Sequence, residues 1–93
     1  MGVNFEIFYH PLVVKEDILK LGTADKNNIK KAIENKLTTN PEIFGKPLRR
    51  SLKGYRKLRV GDYRVIHQIE GKKVKIFYIG HRSIVYKKAD KRF

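Results

Sequence analysis

Val3, Phe5, Ile7 and Tyr9 alternate with Asn4, Glu6 and Phe8, a period of two that predicts a strand at the start of the chain. His10-Pro11 ends it, and Pro11 suits the first turn of a helix, where a missing N–H costs nothing. Val14, Ile18 and Leu21 then recur at helical spacing, with Gly22 as the stop. Thr23 is placed to cap a second helix, in which Ile29, Ile33 and Leu37 follow four residues apart while Lys30, Lys31, Glu34 and Asn35 face out. Thr38 to Pro41 close it.

Asn40 to Gly54 holds Pro41, Gly45, Pro47 and Gly54, which predicts a long connection. The period then returns to two. Leu58 and Val60 point one way and Lys57 and Arg59 the other. Gly61-Asp62 is a two-residue turn between antiparallel strands. Tyr63 to Ile69 is apolar on both faces, as a central strand would be. Glu70-Gly71-Lys72 makes the next turn, and Val74 to Ile79 the last strand. Val85-Tyr86 precedes a basic run ending at Phe93, which reads as a solvated tail. The order is βααβββ. It predicts one α+β domain over 1–93, with both helices packed on one face of a largely antiparallel sheet.

Composition narrows the chemistry. There is no Cys, which excludes a disulfide framework, thiol catalysis and Cys-ligated zinc. No apolar run approaches the ~20 residues of a membrane span, and no secretory signal opens the chain. The expectation is a soluble, cytoplasmic protein. A chain of this size buries only about 60–65% of its unfolded surface, too little to enclose a large cofactor.

The net charge of +13 is unevenly spread. Residues 1–45 carry six Lys and six acids, whereas residues 46–93 carry nine Lys, seven Arg and three acids. Every Arg lies in the second half. Guanidinium grips phosphate at two points, so this half is where a polyanion would bind.

No nucleotide-binding loop, nucleophile elbow, paired-carboxylate or zinc motif occurs, and three scattered His residues do not make a metal site. What remains is a basic constellation on the last three strands. Lys57 and Arg59 share a strand face, Arg64 begins the next strand, and His81, Arg82 and Tyr86 stand at and beyond the end of the third. RNA suits such a surface: cations neutralise phosphate and Tyr stacks on or hydrogen-bonds a base. Cleavage would also need a proton carrier, which Arg cannot be, leaving Lys57, His81 and Tyr86. Each residue has a structural reading beside this one. Lys57 and Arg59 would be a solvated strand face, Arg64 an ion pair with Asp62, and Tyr86 a cap on the core. His67, between Ile66 and Gln68, reads as structural.

The run Tyr55 to Ile66 (YRKLRVGDYRVI) resembles the core signature of the RelE/ParE toxin superfamily, and so does Ile79-Gly80-His81-Arg82 followed by Val85-Tyr86. Asn40-Pro41 and Phe44-Gly45-Lys46-Pro47-Leu48 match the family's lead-in. The resemblance spans nearly the whole chain and implies a microbial-ribonuclease-like sheet. RelE-branch members are toxins of toxin–antitoxin pairs that cleave mRNA in the ribosomal A site, with the 2′-OH as nucleophile and neither metal nor cofactor. By that resemblance, Lys57 and Arg59 hold and activate the substrate, and Arg64, Arg82 and Tyr86 match the Arg opening the next strand, the Arg after the last strand and the C-terminal Tyr. The expectation drawn from the residues is that Lys57 or His81 carries the proton, with Arg59, Arg64 and Arg82 on phosphate. Arg59 stands where the best-known form has a second Lys, the Gly61-Asp62 turn is shorter, and His67 replaces a common Tyr. The implied partners are a cognate antitoxin, in a hetero-oligomer, together with the ribosome and mRNA. Two other readings stay open: a ParE-branch gyrase poison, and a non-catalytic RNA-binding protein.

Overall fold

The computed structural model describes residues 4–92, so Val3 and Phe93 lie outside the described residues. Strand β1 is Glu6–Tyr9. A first helix runs over 11–20, with wide turns at Val13–Asp17 tightening into a 3₁₀ turn at Ile18–Lys20. The second runs over 23–37, α-helical at Thr23–Ala32 and wider at Ile33–Leu37. Gly22, not Thr23, occupies its N-cap. At its far end, Thr38 Oγ1 and Thr39 Oγ1 donate to the carbonyls of Glu34 and Asn35, satisfying groups the last turn leaves open.

The predicted connection is more structured than its Pro and Gly content suggests. It folds a helical turn at Pro41–Phe44, a two-residue strand β2 at Lys46–Pro47 and a 3₁₀ turn at Arg50–Leu52. Strands β3 (Arg56–Val60), β4 (Tyr63–Glu70) and β5 (Lys73–His81) follow. The five-stranded sheet has the order β1-β5-β4-β3-β2, with β1 parallel to β5 and every other pair antiparallel.

Two cores lie on opposite faces of this sheet. On one face, Val13, Ile29, Ile33 and Leu37 of the two helices bury Leu58, Val65, Val74, Ile76 and Ile79. Each such side chain contributes about 1.5–3 kcal/mol over leaving it in water. On the other, Ile66 and Tyr78 are covered by Leu52 and by Val85 and Ala89 of a C-terminal helix, Val85–Lys91. This corrects the reading of a solvated tail and adds a helix on the face opposite the two expected ones. Val85 and Ala89 are four apart, so one turn of helix presents both to the sheet. Arg92 then completes the fold-back. Its guanidinium meets both carboxylate oxygens of Asp17 at 2.8 and 2.9 Å and donates to the Phe77 carbonyl at 2.9 Å.

A β-bulge breaks the period of β5. The register against β4 shifts between Ile66, which pairs with Tyr78, and His67, which pairs with Ile76. Phe77 is the extra residue. Ile76 and Ile79 therefore both face the helices, although they lie an odd three positions apart.

His67 is structural, as its neighbours in sequence implied. It is fully buried, and its Nδ1 lies 3.0 Å from the Val65 carbonyl, an acceptor only. The proton therefore sits on Nδ1, and the Nε2 lone pair is buried without a partner. Burial drives the imidazole down to a pKa of about 4, with the Arg56 charge adding to the effect. Gly45 makes room for this ring, since a Cβ there would stand 2.7 Å from Nε2.

Candidate nucleic-acid interface

The strand registers decide which predicted residues meet. Arg59 pairs with Arg64 across β3 and β4, and Lys57 pairs with Ile66, so all three cations project from the face opposite the two helices. On the other side of β3, Lys46 pairs with Lys57 and brings a fourth cation. Phe44, Lys46, Lys57, Arg59 and Arg64 line a cleft of about 190 Å³. Among the described residues, no carboxylate lines it. Like charges facing each other across strands repel, and a bound anion would relieve that repulsion.

Two contacts orient the cations. One Arg64 nitrogen donates to the carbonyls of Gly61 (3.0 Å) and Tyr63 (2.9 Å), which pins the guanidinium beside the turn and leaves its other nitrogens for an anion. Arg64 does not pair with Asp62. That carboxylate lies 3.6 Å from Arg82 Nε instead, and the Arg82 N–H donates to the Asp62 carbonyl at 2.8 Å. Arg82 thus sits on the rim at the β3–β4 turn. Lys57 Nζ lies 5.4 Å from the centre of the Tyr86 ring. Tyr86 is half-buried and packs against the core under the C-terminal helix, so it both caps that core and flanks the cleft.

His81 falls elsewhere. Beyond the bulge its strand is turned over, so His81 pairs with Tyr63 and their rings meet edge to face at 5.7 Å on the helix side. Its Nδ1 accepts the Ser83 N–H at 3.2 Å and lies 2.8 Å from Ser83 Oγ, which puts the neutral ring's proton on Nε2. It shares a second cavity, of about 480 Å³, with Asp25, Asn28, Asp62 and Tyr63. Burial and the Asp25 carboxylate raise the pKa of the Tyr63 hydroxyl. The structure therefore brings together Lys57, Arg59, Arg64 and Tyr86, sets Arg82 at their edge, and separates His81.

Sequence reading missed Lys46 and Phe44. Both lie in the presumed connection, and a two-residue strand is too short to show any period. The signal was Lys46 itself, a cation one residue after Gly45 in the run FGKPL.

Among the described residues, no group of three or more His, Asp or Glu could hold a metal ion, and no helix is long and apolar enough to cross a membrane. Residues 7–86 match the family described as the ParE toxin of type II toxin–antitoxin systems. The curated Toxin RelE of Mycobacterium tuberculosis (strain ATCC 25618 / H37Rv) is 43% identical over 53 residues, 55% of this chain. The chain spans about half, 55%, of that relative's length. Among solved structures, the toxin–antitoxin complex RelBE2 from Mycobacterium tuberculosis is similar at a TM-score of 0.80. It is 28% identical, over 87% of this chain and 94% of that one. YafQ from E. coli strain BL21(DE3) is similar at a TM-score of 0.62 and 26% identity, over 85% and 94%.

Proposed function

Because the chain belongs to the ParE toxin family of type II toxin–antitoxin systems, we propose that it arrests growth by cleaving mRNA in the ribosomal A site, as RelE-type toxins do. The observation that carries this reading is the cleft in which Lys46, Lys57, Arg59 and Arg64 converge beside Tyr86, with no carboxylate lining it among the described residues. A gyrase poison or a passive RNA binder would need the charge but not a proton carrier set among phosphate ligands.

In this scheme Lys57 first gives a proton to solvent and then takes the 2′-OH proton as the 2′-oxygen attacks the neighbouring phosphorus. Charge gathers on the non-bridging oxygens, where Arg59 and Arg64 stabilise it. The bond to the 5′-oxygen breaks, and that oxygen takes a proton from solvent. The products are a 2′,3′-cyclic phosphate and a 5′-hydroxyl. Arg82 on the rim holds an adjacent phosphate, and Tyr86 keeps the Lys57 chain in place. Neither a metal nor a cofactor takes part. His81, on the opposite face, is outside the reaction.

A toxin of this kind is held inactive by a cognate antitoxin in a hetero-oligomer, and the related RelBE2 is a toxin–antitoxin complex. The inhibitor's acidic residues would cover the same cleft.

Ribosomes programmed with a defined mRNA test the reading. New ends with cyclic phosphate are expected with the wild-type protein and not with Lys57→Ala. Intact mRNA together with trapped gyrase–DNA complexes would overturn it in favour of the gyrase reading. RNA bound but never cut would overturn it in favour of passive binding.

A further inference from the structure

The cleft contains one side chain that phosphate binding does not require. Phe44 lines it among four cations and is 40% exposed. Its exposure is not that of a loose loop, because the backbone on both sides is tied down. The Phe44 N–H donates to the Asn40 carbonyl at 3.2 Å, and the Gly45 N–H to the Pro41 carbonyl at 3.0 Å. An Arg56 nitrogen donates to the Gly45 carbonyl at 3.0 Å, and the His67 ring is seated against Gly45. The ring is thus presented to the cleft by a fixed turn. Its face already draws a cation, with Lys36 Nζ 5.5 Å from its centre.

Single-stranded nucleic acids are held by this pairing of elements, with cations along the backbone and an aromatic ring under a base. Lys46 lies two residues beyond Phe44 and pairs with Lys57, so a phosphate on Lys46 and Lys57 would carry its base toward the ring. We propose that Phe44 is the stacking platform for an RNA base beside the scissile phosphate, which makes the cleft a nucleotide site and not merely an anion site. This rests on the RNA-cleaving reading for the identity of its ligand.

The test uses the full chain and a hexaribonucleotide blocked by 2′-O-methylation, with 2-aminopurine placed at each position in turn. An abasic oligomer of equal length serves as the comparison. The wild-type protein should bind the hexamer about tenfold more tightly than the abasic chain, and should quench 2-aminopurine at one position. Phe44→Ala should lose both effects while binding the abasic chain within twofold of wild type, and Phe44→Tyr should restore them. Equal loss on both oligomers, or no loss on either, would overturn the platform; so would quenching that survives Phe44→Ala or is not restored by Phe44→Tyr. Thermal unfolding of each variant separates a lost contact from a lost fold. Cleavage of ribosome-bound mRNA by the wild-type protein is scored separately. Its absence would sink the nuclease reading, while the hexamer data alone decide the platform.

Discussion

Arg92 and Arg59 carry the same guanidinium and face opposite surroundings. Arg92 is 6% exposed, bridges both oxygens of an Asp17 side chain that is 1% exposed, and lies 4.1 Å from the centre of the Tyr78 ring. The same carboxylate accepts the Ile79 N–H at 3.0 Å. Its charge is tolerated in the interior because the groups around it match it. Arg59 is exposed and meets Arg64 across the strands, with Lys46 and Lys57 nearby and, among the described residues, no carboxylate in the cleft. One site is complete without a ligand and the other is not. The sign of a charge therefore says less about its role than what has been placed opposite it.

The sharpest way to break the contrast is Asp17→Ala, which leaves Arg92 buried and unpaired. We expect a loss of about 3–5 kcal/mol in urea unfolding; a loss below about 1 kcal/mol would mean the pair is dispensable. Lys57→Ala should act the other way round. Cleavage should fall by at least about a hundredfold with the melting temperature unchanged, while His81→Ala should stay within about tenfold of wild type. Equal defects in the two variants would return His81 to the reaction. A third test concerns His67, buried like Arg92 but kept neutral. Its folded pKa of about 4 lies below the ordinary 6.5. The unfolded chain therefore binds the proton first, and stability falls as the pH drops from about 6.5 to 4, by up to about 1.4 kcal/mol per unit. Denaturation across that range should show a slope that His67→Phe lacks. Gly45→Ala sets a methyl against the same ring and the Pro41 carbonyl, at an expected cost of about 1–3 kcal/mol. The smallest effect is the most diagnostic. Arg59→Thr removes one of two facing like charges and should stabilise the free protein, by less than about 1 kcal/mol, while weakening RNA binding.

The strands, the first two helices and the basic face were legible because their signals are local. A period of two places Lys57 and Arg59 together and the Gly61-Asp62 turn brings Arg64 near them, while the face Arg64 shows is fixed only by the observed register. Three features were hidden because they depend on distant or irregular pairings. The C-terminal run looks like a solvated charge tail until Arg92 finds Asp17, 75 positions away. His81 counts onto the cation face only if β5 is regular, and the bulge at Phe77 turns it over. Lys46 and Phe44 come into place through a strand of two residues, whose position is fixed by β3 and not by its own pattern.

That short strand has a dynamic consequence. The wall formed by β3 and β4 is a continuous antiparallel ladder inside the sheet. The wall that carries Lys46 and Phe44 is an edge strand of two residues, one of them Pro47, which has no N–H to contribute, and the Arg56 bond to the Gly45 carbonyl and the Leu48 N–H bond to the Tyr55 carbonyl tie it further. Detaching it leaves the helix-side core intact, so its opening free energy lies below that of global unfolding. Amide hydrogens at Gly45 and Lys46 should exchange with solvent long before those of Val65 and Ile66. The cleft has one jaw built on the middle of the sheet and one on its edge, so the edge jaw is where its width is decided.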